Sequence, residues 1–139
     1  MKGPKPAPAR ELYLSPWFMG VRELVERSES PWFILSAKYG LVSPDEFLAP
    51  YNQTLNSMGK DERRAWASWV KAQMEQRLPV TKRIVIFAGQ RYREYLMDYL
   101  RGRGARVEIP LEGLRIGEQL AWLAKHRGAE LTSCSGSLL

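Results

Sequence analysis

A chain of 139 residues with 45% hydrophobic and 26% charged side chains has the composition of one globular domain, large enough to fold without disulfide or metal staples. Its single cysteine, Cys134, excludes a disulfide framework and a cysteine-based metal cluster, and no apolar run approaches the roughly 18 residues of a membrane span. The net charge of +6 is uneven, with 7 basic and 6 acidic side chains in residues 1–60 against 14 and 9 in residues 61–139, which suits a polyanionic partner as well as a plainly solvated basic surface.

Residues 1–9 are rich in proline and lysine and are expected to be extended or disordered. They hold no apolar core for a signal peptide, so the expected location is the cytoplasm. Ser15-Pro16 reads as an N-cap followed by proline at the first helical position, opening a helix to about Arg27 with Trp17, Val21, Leu24 and Val25 on one face. Trp32 to Ser36 is a short apolar run between turn signals, the pattern of a strand buried on both faces. A long loop then runs to Gly59 and stays unusually apolar and aromatic, as expected of a loop that lines a site. A second helix covers Lys60 to Leu78, with Trp66, Trp69, Val70, Met74 and Leu78 as its inner stripe, and Pro79 ends it.

RIVIFA (83–88) is the clearest buried strand, and Gly89 turns it directly into a helix carrying Tyr92, Tyr95, Leu96, Tyr99 and Leu100. A third strand spans Ala105 to Ile109, and a last helix spans Ile116 to His126. Strands alternating with helices predict a single three-layer α/β domain over residues 10–127: a short, mostly parallel sheet of about three strands with helices on both faces. Residues 128–139 are expected to be a disordered tail.

Ligands of open α/β sheets bind outside the carboxyl ends of the strands. Those ends are Ser36–Gly40, Gly89–Tyr92 and Pro110–Gly113, three loops that share one edge. Candidate ligand-binding residues are therefore Ser36, Lys38, Tyr39, Gly40, Tyr51, Asn52, Gly89, Arg91, Tyr92 and Gly113. The Gly89 turn exposes backbone N–H groups at a helix start, and Arg91 adds a guanidinium for a phosphate or carboxylate, although a plain turn with a surface arginine fits equally. Lys38 serves either as an anion contact or base, or as a snorkelling surface lysine. Tyr39 stacks on a base or packs in the core.

Asp45 and Glu112 are the candidate catalytic carboxylates, with a turn or capping role as the alternative for Asp45 after Ser43-Pro44. His126, the only histidine, sits in a last helical turn beside Lys125 and Arg127. That is a capping position, and it argues against triad and zinc chemistry. No metal ligand set and no cofactor motif is expected.

The segments PAPARELY (6–13), FILSAKYGLVSPDE (33–46), PYNQTL (50–55), AGQRYREYL (88–96) and PLEGLRIGEQLAWL (110–123) resemble a small bacterial and phage family of unknown function. The YGL…P…PY core is also similar to YaaA peroxide-stress proteins, which bind DNA, and more faintly to a domain of archaeosine synthases. The resemblance implies recognition of DNA, RNA or a nucleotide, on a scaffold resembling uracil-DNA glycosylases.

Two departures stand out. Only MKGPK precedes PAPARELY, where family members carry a further strand ending in a Cys-Gly or Cys-Ser turn, so the sheet is expected to lack a strand and the site a wall. Asn52 stands where the family's PYD motif has an acid. If that acid is catalytic in the family, this chain binds without turnover.

The expected function is thus a domain that binds nucleic acid, nucleotide or nucleobase, with N-glycosidase-like base processing as its enzymatic form. The alternatives are a non-catalytic nucleic-acid-binding module, or a phage or defence accessory protein acting through protein contacts. The last predicts an open sheet edge and a homodimer formed through it. No membrane partner is expected.

Overall fold

The computed structural model describes residues 2, 4–28, 30–127 and 135–139. Along the chain run β1 (Ala7–Pro8), α1 (Ala9–Leu12), α2 (Pro16–Arg27), β2 (Trp32–Ser36), β3 (Gly40–Val42), β4 (Phe47–Leu48) and a short helical turn at Leu55–Ser57. There follow α3 (Lys60–Arg77), β5 (Arg83–Ile86), α4 (Gln90–Arg93), α5 (Met97–Gly102), β6 (Arg106–Glu108), α6 (Ile116–Lys125) and β7 (Ser135–Leu138). Five strands form one sheet in the order β3-β2-β7-β5-β6, parallel except for the β2–β3 hairpin, while β1 and β4 pair in a separate ribbon.

Alternation along the strands explains the layers, because successive side chains point to opposite faces of a sheet. Phe33, Leu35, Ile84 and Ile86 pack with Trp66, Val70 and Met74 of α3 and Leu100 of α5. Ile34 and Val85 point the other way, onto Phe18, Val21 and Val25 of α2 and Leu123 of α6. The chain is therefore a three-layer α/β domain with a mostly parallel sheet. Among the described residues no helix is long and apolar enough to cross a membrane.

The predicted start of α2 is present in detail: the Ser15 Oγ accepts from Phe18 N at 3.1 Å, with Pro16 as the first helical residue. On α3 the buried stripe is Arg63, Trp66, Ala67, Val70 and Met74, a spacing of three and four. Trp69 falls off that stripe and is 44% exposed, against expectation. The expected single helix after Gly89 is two, α4 and α5, broken around Glu94–Leu96 where Leu96 N turns back to Arg93 O.

The largest difference lies at the end of the chain. Residues 128–134, with Cys134, fall outside the described residues, but Ser135–Leu138, expected to be disordered, form β7 in the middle of the sheet. Backbone bonds join β7 to both neighbours. Leu35 N donates to Leu139 O at 2.7 Å, Leu139 N to Phe33 O at 2.9 Å and Phe87 N to Leu138 O at 2.8 Å. Ser-Gly-Ser has low β propensity and reads as a loop; the two flanking strands, each offering unpaired backbone groups, override it. The sheet thus has five strands rather than three.

Its edges are not open apolar strands. The Arg77 guanidinium occupies Leu41 O of β3 at 2.7 Å, and β6 carries the exposed Arg106 and the half-buried, ion-paired Glu108. Charged and capped edges of this kind disfavour strand-to-strand pairing.

Candidate functional site

The carboxyl end of β2 is fastened by one serine. Ser36 is fully buried, and its Oγ accepts from Lys38 N at 3.2 Å and Tyr39 N at 3.0 Å, folding the chain back toward β3. Its carbonyl accepts from the Trp66 indole N–H at 2.9 Å. Gly40 completes the turn at φ +75°, and Gln73 clamps it, accepting from Leu41 N at 2.8 Å and donating to Tyr39 O at 3.3 Å.

Above Ser36 lie two phenols. Tyr13 and Tyr51 share a hydrogen bond between their hydroxyls. The two lone pairs of Ser36 Oγ are taken by backbone N–H groups, so this hydroxyl only donates. The two phenolic protons serve one bond between them, so one phenolic O–H remains for another acceptor. Burial is the largest cause pushing both phenols above their ordinary pKa, so they stay protonated donors at any physiological pH. Tyr39 meets Tyr51 edge-on at 5.5 Å, and Tyr13 lies 4.9 Å from the Phe18 ring.

Tyr13 is also one wall of a cavity of about 180 Å³ at this edge of the sheet. Trp17, Phe18 and Tyr92 supply the other aromatic walls, Ile34 and Leu35 of β2 the floor, and Ala88, Gly89 and Leu139 the remaining sides. The lining is mostly apolar, and its volume suits one ring system rather than the roughly 300–1,000 Å³ of a drug-sized ligand. Leu139, which follows β7, is one wall of the cavity. Tyr92 is braced by Trp66, edge-on at 5.9 Å, and by Thr54, whose hydroxyl is 3.3 Å from the phenol.

Of the residues expected at the site, Ser36, Tyr39, Tyr51, Gly89 and Tyr92 are brought to this edge. Lys38 is exposed with its ammonium 5.3 Å from the Tyr39 ring centroid, and Asn52 follows Tyr51 with its side chain exposed. Arg91 is exposed on α4. That helix has only four residues, so the expected helix-start anion site has little dipole behind it. Gly89 itself has φ −65°, which any residue adopts, and a Cβ there would meet nothing within 4 Å.

Glu112 and Gly113 form the turn after β6, with Gly113 at φ +80°. The Glu112 carboxylate is 64% exposed and 3.8 Å from Arg93, whose guanidinium donates to Ala88 O, so it flanks the cavity without lining it. Asp45 is not brought in. It lies beyond the Val42 end of β3, beside the start of β2, 80% exposed and ion-paired to Arg10, which also reaches Glu26 at 3.4 Å.

Lys2, Tyr13 and Trp17 were not anticipated. The crossover rule could have found the last two, because a helix returning to a parallel strand begins at the carboxyl edge, and Tyr13 and Trp17 bracket the start of α2. Nothing in the local pattern marks Lys2. A backbone bridge to Tyr13 carries it there and sets its ammonium 4.3 Å from the Tyr51 ring centroid and 5.6 Å from that of Tyr13.

These features define a three-layer α/β domain with an aromatic cavity at the carboxyl edge of a mostly parallel sheet. The chain belongs to the family of unknown function DUF6884, which matches residues 1–125; β7 lies beyond the matched part. Neither the curated proteins nor the solved structures contain a match.

Proposed function

We propose that this domain binds a nucleobase, as a free nucleotide or within a nucleic-acid strand, in the cavity at the carboxyl edge. The observation that carries this reading is the cavity itself: about 180 Å³, walled by four aromatic rings, with a phenolic donor left over beside it. Aromatic walls favour a flat π-system, since base–aromatic stacking contributes about 1–3 kcal/mol per base, and a protonated phenol suits a ring nitrogen or carbonyl. The net charge of +6 and the resemblance of the SAKYGLV…PY segment to the YaaA proteins agree with it.

Binding is favoured over base processing. Among the described residues no Asp or Glu side chain lines the cavity: Asp45 is turned to Arg10, and Glu112 to Arg93 and solvent. An N-glycosidase acting here would depend on phenols and backbone rather than on a carboxylate acid or base.

Calorimetric titration of the four common nucleosides into the wild type and Gly89→Leu tests the proposal. Gly89 lines the cavity, its backbone accepts leucine without strain, and a Cβ there meets nothing within 4 Å. Saturable heat in the wild type, lost in a Gly89→Leu protein with an unchanged melting temperature, is expected. Binding that survives the blocked cavity, or no binding of any nucleoside, nucleoside monophosphate or short single-stranded oligonucleotide, overturns it.

A further inference from the structure

Most guanidinium groups of the described residues face carboxylates, as Arg10, Arg63, Arg77, Arg83 and Arg93 do. Among the described residues no lysine forms an ion pair, and two of the lysines lie at the carboxyl edge. Lys2 lies over the Tyr51 ring and Lys38 over the Tyr39 ring, and those rings touch edge-on at 5.5 Å. Neither has a carboxylate within ion-pair distance among the described residues. Resting on an aromatic face is a modest reward for an ammonium, worth about 0.5–1 kcal/mol at exposed sites, and it leaves the donors of the group free to turn from solvent to an anion.

The positions are built rather than incidental. The backbone bridge to Tyr13 holds Lys2, and β1, paired with β4 through Ala7 and Pro8, anchors the same N-terminal segment. The Ser36 turn holds Lys38 by its own backbone N–H. Tyr13 is common to both regions, since it walls the cavity and lies beneath Lys2.

We infer that Lys2 and Lys38, set on the Tyr51–Tyr39 pair, form a phosphate-binding subsite beside the ring cavity, so that the ligand is a phosphorylated nucleoside rather than a free base. This assignment rests on the cavity reading above and specifies its substrate class. A phosphate replaces the two ring faces with charge-assisted hydrogen bonds while the attached base enters between Tyr13, Trp17 and Tyr92. Partial burial also lowers the Lys2 pKa, a shift that a bound anion would oppose. Either a free nucleotide or a strand supplies this phosphate chemistry.

The test compares nucleosides, nucleoside monophosphates and a short single-stranded oligonucleotide by calorimetry at low salt, in the wild type, Lys2→Gln, Lys38→Gln and the double variant. The monophosphate is expected to bind at least about tenfold more tightly than its nucleoside, an advantage that shrinks with added salt. Each single variant should reduce that advantage, the double should remove it, and nucleoside affinity should hold. Lys2→Arg with Lys38→Arg should restore it. Unchanged melting temperatures exclude misfolding as the cause. The same lysine dependence seen for the oligonucleotide alone supports the subsite with a strand phosphodiester as its occupant.

Nucleoside and monophosphate binding equally, or a monophosphate preference indifferent to both lysines, overturns the subsite and leaves the cavity standing. No binding of nucleoside, monophosphate or oligonucleotide overturns both.

Discussion

Truncating Leu138 to alanine probes the placement of β7 most directly. Leu138 is fully buried and packs in the cluster of Phe33, Leu35, Ile84 and Ile86, between the strands that β7 joins. Replacing such a leucine by alanine costs about 2–5 kcal/mol, the lost transfer energy plus that of the cavity left behind. The upper part of that range is expected, because the neighbours on both sides are hydrogen-bonded strands that cannot collapse into the space. Against a typical stability of about 5–15 kcal/mol, this is a large fraction.

Urea unfolding followed by tryptophan fluorescence reads it as a lower midpoint with an unchanged slope. The melting temperature should fall by roughly 10 °C. A change within about 0.5 kcal/mol, as expected for an exposed tail position, refutes the central placement of residues 135–138. Its neighbour supplies a control of opposite sign. Ser137 is 2% exposed, and its hydroxyl has no hydrogen-bond partner among the described residues. Ser137→Ala removes an unsatisfied buried group and should leave stability unchanged or raise it by about 1 kcal/mol. A disordered tail produces no loss for Leu138→Ala and no gain for Ser137→Ala.

Gly40→Ala should destabilise by at least about 1–2 kcal/mol in the same assay, since φ is +75° and the new Cβ would lie 2.1 Å from Gln73 Oε1. An alanine tolerated without loss would contradict the turn geometry. The buried phenols of Tyr13 and Tyr51 have raised folded-state pKa values, so stability present below the unfolded tyrosine value of about 10 is lost as pH rises above it. The urea midpoint should therefore fall between pH 9 and 11, and Tyr13→Phe should flatten that slope; parallel slopes would refute the assignment. Trp66→Phe removes the donor to Ser36 O and should cost about 1 kcal/mol, read by thermal melting, while the ring brace on Tyr92 is retained.

Much of this fold was legible because its strands and helices carry strong patterns. FILS and RIVI are apolar at every position or nearly so, as strands covered on both faces must be, and Ser15-Pro16 is a helix start with a mechanism. The Tyr39, Gly89 and Tyr92 positions followed from topology, because the loops after parallel strands converge, whereas Tyr51 stood out only as part of the long aromatic loop. What was not legible was long-range. Ser135–Leu138 carries no strand pattern, and only the vacancy between β2 and β5 makes it one. Asp45 looked close to the site in sequence, but the antiparallel hairpin carries the chain back to the other end of β2 before Tyr51 returns.

The same long-range pairing links the site to the sheet. Leu139 walls the cavity while its N–H and C=O bind Phe33 and Leu35, and Leu138 O holds Phe87 next to Ala88 and Gly89. A ligand in the cavity therefore touches a residue that exists in place only when β7 is inserted. Binding must then favour the inserted state by its differential affinity for it, and weakened insertion must lower apparent affinity by the fraction still inserted. Leu138→Ala distinguishes two regimes. If β7 and the rest of the sheet unfold together, the variant keeps nearly wild-type affinity at 25 °C while its midpoint falls. If β7 opens alone, affinity falls in proportion to the opened fraction, and saturating ligand restores the melting temperature. Ser137→Ala, acting on the same strand without touching the cavity, should move affinity only in the second regime, and upward.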